Sequence, residues 1–220
     1  MFSESKFISQ INIGTKAIQA YTNMRMSNMP KAATYFDDLI QNYIKPVISM
    51  WAGETFVGTP KTEPVKQAFQ RFYVSLMKLL QNINSNAFTP TSYETRFANS
   101  LLFRGVIYRV LGTSDPTSPT IIAPKYNNIY VSWSKKEKPA NNIIEKLYGT
   151  RTFLTANIVD DYGIDLDFFE LIQGHEEEVV YPTLKKSIVA IRYIEAGGAS
   201  AGGAGLTAQR RLGNKNAEHS

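Results

Sequence analysis

The stretch LLFRGVIYRVLG, residues Leu101 to Gly112, is where the chain changes character. Its β-branched and aromatic residues, closed by a glycine, read as a strand. Everything upstream with a clear pattern is helical in period, and everything downstream is short, apolar and broken by turn residues. The fold class therefore turns on this junction.

Upstream, apolar residues recur from Phe36 at Leu39, Ile40, Tyr43, Ile44, Val47, Ile48 and Trp51, the spacing of an amphipathic helix. Pro46 falls inside that pattern and predicts a kink or an early end, because proline lacks the amide donor and its ring crowds the preceding turn. AGETFVGTPKTEP then breaks the chain with glycine and proline. A further helix is expected from about Thr62, with Val65, Ala68, Phe69, Phe72, Leu76, Leu79, Leu80 and Ile83 along one face. In TPTSYETRFANS the spacing of Thr91 and Glu94 is that of a capping box opening a short helix.

Downstream, NIYVSWS, TFLTANIV, LDFFELI, EEVVYP and KSIVAIRYI read as strands, and ANNIIEKLYG as one intervening helix ending at Gly149. Helices first and strands after predict an α+β protein with a mixed, mainly antiparallel, β-sandwich-like core, not alternating βαβ units. Three regions are expected: a helical part over 1–99, a β-rich core over 100–195, and a Gly/Ala-rich basic tail over 196–220 that cannot bury a core. The glycines of that tail lack the strand–turn–helix setting of a dinucleotide fingerprint. No Walker loop and no internal repeat is found.

Composition narrows the chemistry. With 43% hydrophobic and 12% aromatic residues among 220, the chain can build a sizeable core. Lys+Arg 24 against Asp+Glu 19 gives +5 and a pI near 9.2, inflated by the tail and compatible with an anionic ligand. The absence of cysteine excludes disulfides and thiolate metal sites. Two histidines, His175 and His219, are too few and too far apart for a histidine-based zinc site, so no metal is expected. MFSESKFISQ lacks the charged-then-apolar layout of a signal peptide, and no apolar run approaches the roughly 20 residues that span a bilayer. A cytoplasmic location is the expectation.

Three features in the β-rich half bear on function. Arg109 sits in an apolar strand, where a cation costs desolvation unless it meets an anion; the alternatives are a structural ion pair or a solvent-facing position. In NIYVSWS, strand alternation puts Ser132 and Ser134 on one face and Trp133 on the other, toward the core. In LIQGHEEEVVYPTL, Glu176 and Glu178 fall on one side of an extended chain and Glu177 on the other. The run is then an E-x-E pair plus one solvated bystander.

An arginine on a first strand, an S-x-S strand and an E-x-E opening a later strand resemble the R-S-E pattern of mono-ADP-ribosyltransferases. EEEVVYP is similar to the arginine-modifying branch, which includes bacterial toxins, vertebrate ectoenzymes and small enzymes of T-even-like bacteriophages. The resemblance covers roughly 101–194 and implies an NAD-binding core of the ADP-ribosyltransferase type. It implies that Glu178 holds the NAD ribose 2′-hydroxyl and stabilises the oxocarbenium-like cation, and that Ser132 orients Glu178. It implies that Arg109 pairs with NAD phosphate or ribose oxygens, with Ser134 in the same cofactor-binding set. Glu176 would bind the guanidinium of the acceptor and take its proton.

DFFELIQGH would be a mobile target-facing loop, with Phe168 or Phe169 as contact aromatics; Phe153 and Tyr148 are the candidates for stacking on nicotinamide. FRG at Arg104 is also a form of the family's first motif; Arg104 and Arg109, an odd number of residues apart, face opposite ways in a regular strand, and the longer preceding strand and following turn favour Arg109. The implied partner is a target protein with an accessible arginine, in host transcription or translation machinery if the enzyme is phage-encoded and acts in the bacterial cytoplasm. Two other readings remain open: an NAD glycohydrolase on the same fold, and a non-catalytic basic module supported by the pI and by QRFYVSLMK and YNNIYVSWSKKEK.

Overall fold

A computed structural model describes residues 3–52, 62–112, 130–137, 151–169, 177–194 and 210–211. The expected helix over 140–149 lies outside them, as do Glu176 and Tyr148. The chain is an α+β protein in which N-terminal helices precede an antiparallel sheet. It divides into two compact units: Met1–Phe103 with Tyr162–His175, and Arg104–Asp161 with Glu176–Ser220.

In the first unit, α1 (Glu4–Met26) buries Phe7, Ile11, Gly14, Thr15, Ile18, Tyr21 and Thr22 along one side. This stripe is half made of small and hydroxyl residues, so its period is faint in sequence. Thr15 and Thr22 satisfy their buried hydroxyls on the carbonyls four residues back, each at 2.8 Å. The Phe36 pattern continues past Pro46 instead of stopping there. α2 (Phe36–Leu39) passes into a π-helical turn (Ile40–Ile44) and then α3 (Lys45–Ala52). A widened turn just before the proline relieves the crowding between its ring and the preceding carbonyls, so the helix absorbs Pro46.

α4 (Glu63–Asn84) buries the whole predicted face, from Val65 to Ile83. Trp51 stacks flat on Phe69, with centroids 3.6 Å apart. α1 crosses this layer at Gly14, where an added Cβ would lie 2.9 Å from the Tyr43 carbonyl oxygen of the π turn and 3.1 Å from Phe72 and Val47 atoms.

α5 (Ser92–Leu101) opens with the predicted capping box: the Glu94 amide donates to Thr91 Oγ1 (3.2 Å) and the Thr91 amide to Glu94 Oε2 (2.6 Å). Glu94 does more than cap. It is 0% exposed, and it also accepts the Tyr21 hydroxyl at 2.6 Å and two guanidinium bonds from Arg25 at 2.9 Å. Arg25 donates onward to the Thr89 carbonyl at 2.7 Å and lies 4.7 Å from the Phe88 ring centroid. Burial, the Glu94 hydrogen bond and the Glu94 charge together hold the Tyr21 hydroxyl protonated far above the usual tyrosine range.

α5 runs directly into β1 (Leu102–Gly112), so the opening stretch LLFRGVIYRVLG is a helix end followed by a strand. β2 (Tyr130–Ser134), β3 (Arg151–Asp165), β4 (Glu178–Pro182), β5 (Ile188–Ile194) and β6 (Arg210–Arg211) complete a six-stranded sheet. Its order is β1-β2-β4-β3-β5-β6, and an added β1–β3 pairing closes the first four strands into a circuit. The β1–β2, β2–β4, β3–β5 and β5–β6 pairs are antiparallel.

Three expectations change. The LDFFELI strand is absent over 166–169. The Asp165 carboxylate accepts the Asp167 amide at 3.0 Å and ends β3, and Asp167–Phe169 turns as a 3₁₀ helix. β3 itself extends well beyond TFLTANIV, to Asp165. Within the expected flexible tail, Arg210 and Arg211 pair with Ile191 and Ala190. Among the described residues, no helix is long and apolar enough to cross a membrane.

Two stability predictions follow from the helical unit. Gly14→Ala should raise helix propensity by about 1 kcal/mol yet destabilise by about 1–3 kcal/mol through overpacking against the Tyr43 carbonyl. A higher urea midpoint would contradict this packing. Glu94→Ala should cost about 3–5 kcal/mol by stranding Arg25. In a double-mutant cycle, adding Arg25→Met should cost much less in the Glu94→Ala background than in the parent.

Candidate functional site

The site begins with β2, which lies between β1 and β4 although β4 follows it by more than forty positions. Across these strands Tyr108 pairs with Ser134 and Ser134 pairs with Glu178; one repeat along, Ser132 pairs with Val180. Directly opposed residues share a face and alternate residues return to it. Ser132, Ser134, Tyr108 and Glu178 therefore lie on one side of the sheet, all partly accessible.

The other side is dry. Trp133, Val179, Tyr181 and Ile107 are buried there, as expected for Trp133, whose indole N–H donates to the Tyr181 carbonyl at 3.0 Å. The Tyr181 hydroxyl meets Ser187 Oγ at 2.9 Å; burial, the largest influence, raises its pKa above the usual tyrosine value.

The two strand arginines separate. Over Arg104–Ile107 exposure alternates, with Arg104 and Val106 open and Ile107 buried, which groups Arg104 with Tyr108 and hence with the serine and glutamate face. Arg104 Nε donates to the Asp161 carbonyl at 3.2 Å. Arg109, one residue beyond Tyr108, projects to the inner side, and its guanidinium donates to the Ser132 backbone carbonyl. Arg109 thus meets the serine strand through its backbone.

Ser134 is also committed locally. Its hydroxyl donates to the Lys136 carbonyl at 2.7 Å and accepts the Lys136 amide at 3.1 Å, closing a turn at the end of β2. The Lys135 amide donates to the Glu177 carbonyl at 2.8 Å, and the Lys136 ammonium pairs with the Glu177 carboxylate. Glu177, expected to be a solvated bystander, is ion-paired. The Lys136 hydrogen bond is the main reason its carboxyl titrates below the usual glutamate value.

Glu178 is the first residue of β4 and half-buried. Phe169 is buried with its ring 6.4 Å from Phe97, so it belongs to the helical core and not to a target-facing loop. The Phe168 side chain lies outside the described residues. Phe153 is fully buried, and the Arg192 guanidinium sits 4.2 Å from its centroid, so that ring face is taken.

Tyr108 is the aromatic that sequence reasoning passed over. Its neighbour Arg109 carried the motif, while the register that puts Tyr108 beside Ser134 is a long-range property. A separate depression of about 160 Å³ lies over Asn157, Asp160, Asp161, Tyr181, Lys186 and Ser187. It is smaller than the roughly 300–1,000 Å³ usual for an organic cofactor and includes none of the nominated residues. Among the described residues, no three His, Cys, Asp or Glu side chains cluster as metal ligands. Comparison with protein-family models, curated proteins and solved structures gives no match to this chain.

Proposed function

We propose that this chain cleaves NAD and transfers ADP-ribose to an arginine side chain of a target protein, on a core of the ADP-ribosyltransferase type. One observation carries the reading. Three segments far apart in sequence, each bearing one part of the R-S-E pattern, are adjacent strands, and Ser132, Ser134 and Glu178 share a face.

When the bond between ribose C1′ and nicotinamide breaks, its electron pair leaves with the ring, which becomes neutral. Positive charge builds at C1′, and a fixed carboxylate at Glu178 lowers the energy of that state more than of the ground state. Glu178 also accepts the ribose 2′-hydroxyl, and the neighbouring Ser132 hydroxyl restrains the carboxylate. A guanidine nitrogen of the acceptor then bonds to C1′ and gives its proton to Glu176.

The strand arginines divide the remaining work in this reading. Arg104, open and on the serine side, meets the NAD phosphates through charge-assisted bonds. Arg109 ties β1 to β2. Tyr108 offers a planar apolar surface beside Ser134 for a ring of the dinucleotide.

The first test is labelled NAD incubated with the protein and a bacterial lysate. Released nicotinamide and labelled protein support the reading; absence of both sinks it. Glu178→Ala should lower transfer and hydrolysis by about 100- to 1,000-fold. Glu176→Gln should lose arginine transfer while retaining hydrolysis; parental transfer would remove Glu176 from the acceptor role. For the arginines, Arg104→Ala should raise KM for NAD by about 10-fold. Arg109→Ala should chiefly lower the melting temperature, and the reverse pattern would exchange their roles.

A further inference from the structure

We infer that Glu177, the middle glutamate of the run, is a positioning residue whose pairing with Lys136 clamps the start of β4 and keeps the Glu178 carboxylate on the Ser132 and Ser134 face. The inference rests on the transferase reading for its effect on activity, though not for the clamp itself.

Four contacts converge within a few residues. Ser134 pairs with Glu178 across β2 and β4. The Ser134 hydroxyl holds both the amide and the carbonyl of Lys136, which bends the chain back after β2. The Lys135 amide donates to the Glu177 carbonyl at 2.8 Å, adding one hydrogen bond beyond the last strand pair. The Lys136 ammonium then closes on the Glu177 carboxylate.

Side-chain exposures of 57% for Lys136 and 38% for Glu177 make this a surface pair, and such pairs alone contribute little. Its leverage here is positional. Glu178 is the first residue of β4, and a strand end is where pairing is most easily lost. A strand end that frays lets the Glu178 backbone rotate, and alternation then carries its carboxylate away from Ser132. Lys136 lies on the turn fixed by Ser134, so its backbone is held beside the start of β4. The Lys136 hydrogen bond, with Lys135 adding positive charge, keeps Glu177 ionised down to lower pH than an ordinary glutamate.

Loosening the clamp should act on the transition state more than on NAD binding, because carboxylate orientation matters most as charge develops at C1′. The experiment compares the parent, Glu177→Gln, Lys136→Met and the charge-exchanged pair Lys136→Glu/Glu177→Lys. Steady-state nicotinamide release and amide hydrogen exchange at Lys135 are read in each. Each single substitution should lower kcat by about two- to five-fold, the size expected for a surface ion pair, with KM for NAD unchanged. Lys135 exchange should accelerate in both singles. The exchanged pair should recover most of kcat and of the protection.

Parental kcat in both singles, with an active parent, overturns the positioning role. Singles that fall without recovery in the exchanged pair overturn the ion pair as its cause. Unchanged Lys135 exchange overturns the clamp. A parent that releases no nicotinamide defeats the transferase reading instead, and Lys135 exchange alone then decides whether the clamp exists.

Discussion

The register between β2 and β4 is the constraint on which the candidate site depends. It is held from the dry side: Trp133 opposes Val179, Tyr181 is buried two residues on, and the Trp133 indole bonds to the Tyr181 carbonyl. A slip of one residue would expose these apolar groups and bury Ser134 and Glu178 instead. The hydrophobic row therefore decides which hydroxyls and carboxylates meet on the accessible row. Glu178 pairs with Ser134 because Val179 packs with Trp133.

The helical unit obeys a different constraint. Its organising group is the buried Glu94 carboxylate, which caps α5 and takes Tyr21 and Arg25 of α1 on its oxygens. A fully buried carboxylate is tolerated only when its lone pairs are used, and here backbone, phenol and guanidinium all contribute. Close approach elsewhere in the unit depends on Gly14, whose missing side chain leaves room for the π turn that accommodates Pro46. A helix defect and a glycine on a neighbouring helix are matched to each other.

On the proposed reading, Glu177 and Glu178 have separate tasks. Glu178 faces the serines and would stabilise charge on the ribose. Glu177 meets Lys136 and would hold the strand end. Ser134 spends its hydroxyl on the Lys136 backbone, and on the proposed reading Ser132 would orient the carboxylate. The arginine most prominent in the sequence, Arg109, binds strand backbone, while the more exposed Arg104 shares the serine side. Ser132, Ser134, Tyr108 and Glu178 are partly exposed on that face, whereas Val180, the partner of Ser132, is buried on it.

The α4 face, the Thr91–Glu94 capping box and the change from helix to strand after Leu101 were legible from the amino-acid order, because each depends on neighbours within a turn or two. So was the alternation of Ser132, Trp133 and Ser134, a local property of any extended chain. The fate of Pro46 was not legible, because relief came from a π turn packed against Gly14 of another helix. Nor was Phe169's place in the core, which depends on Phe97 some seventy residues earlier. The adjacency of β1, β2 and β4, the placing of Arg109 inside and Arg104 outside, and the pairing of Glu177 with Lys136 were decided only by tertiary structure. Short-range geometry sets which residues can share a face; long-range packing of Trp133, Val179 and Tyr181 sets which strands, and so which faces, meet.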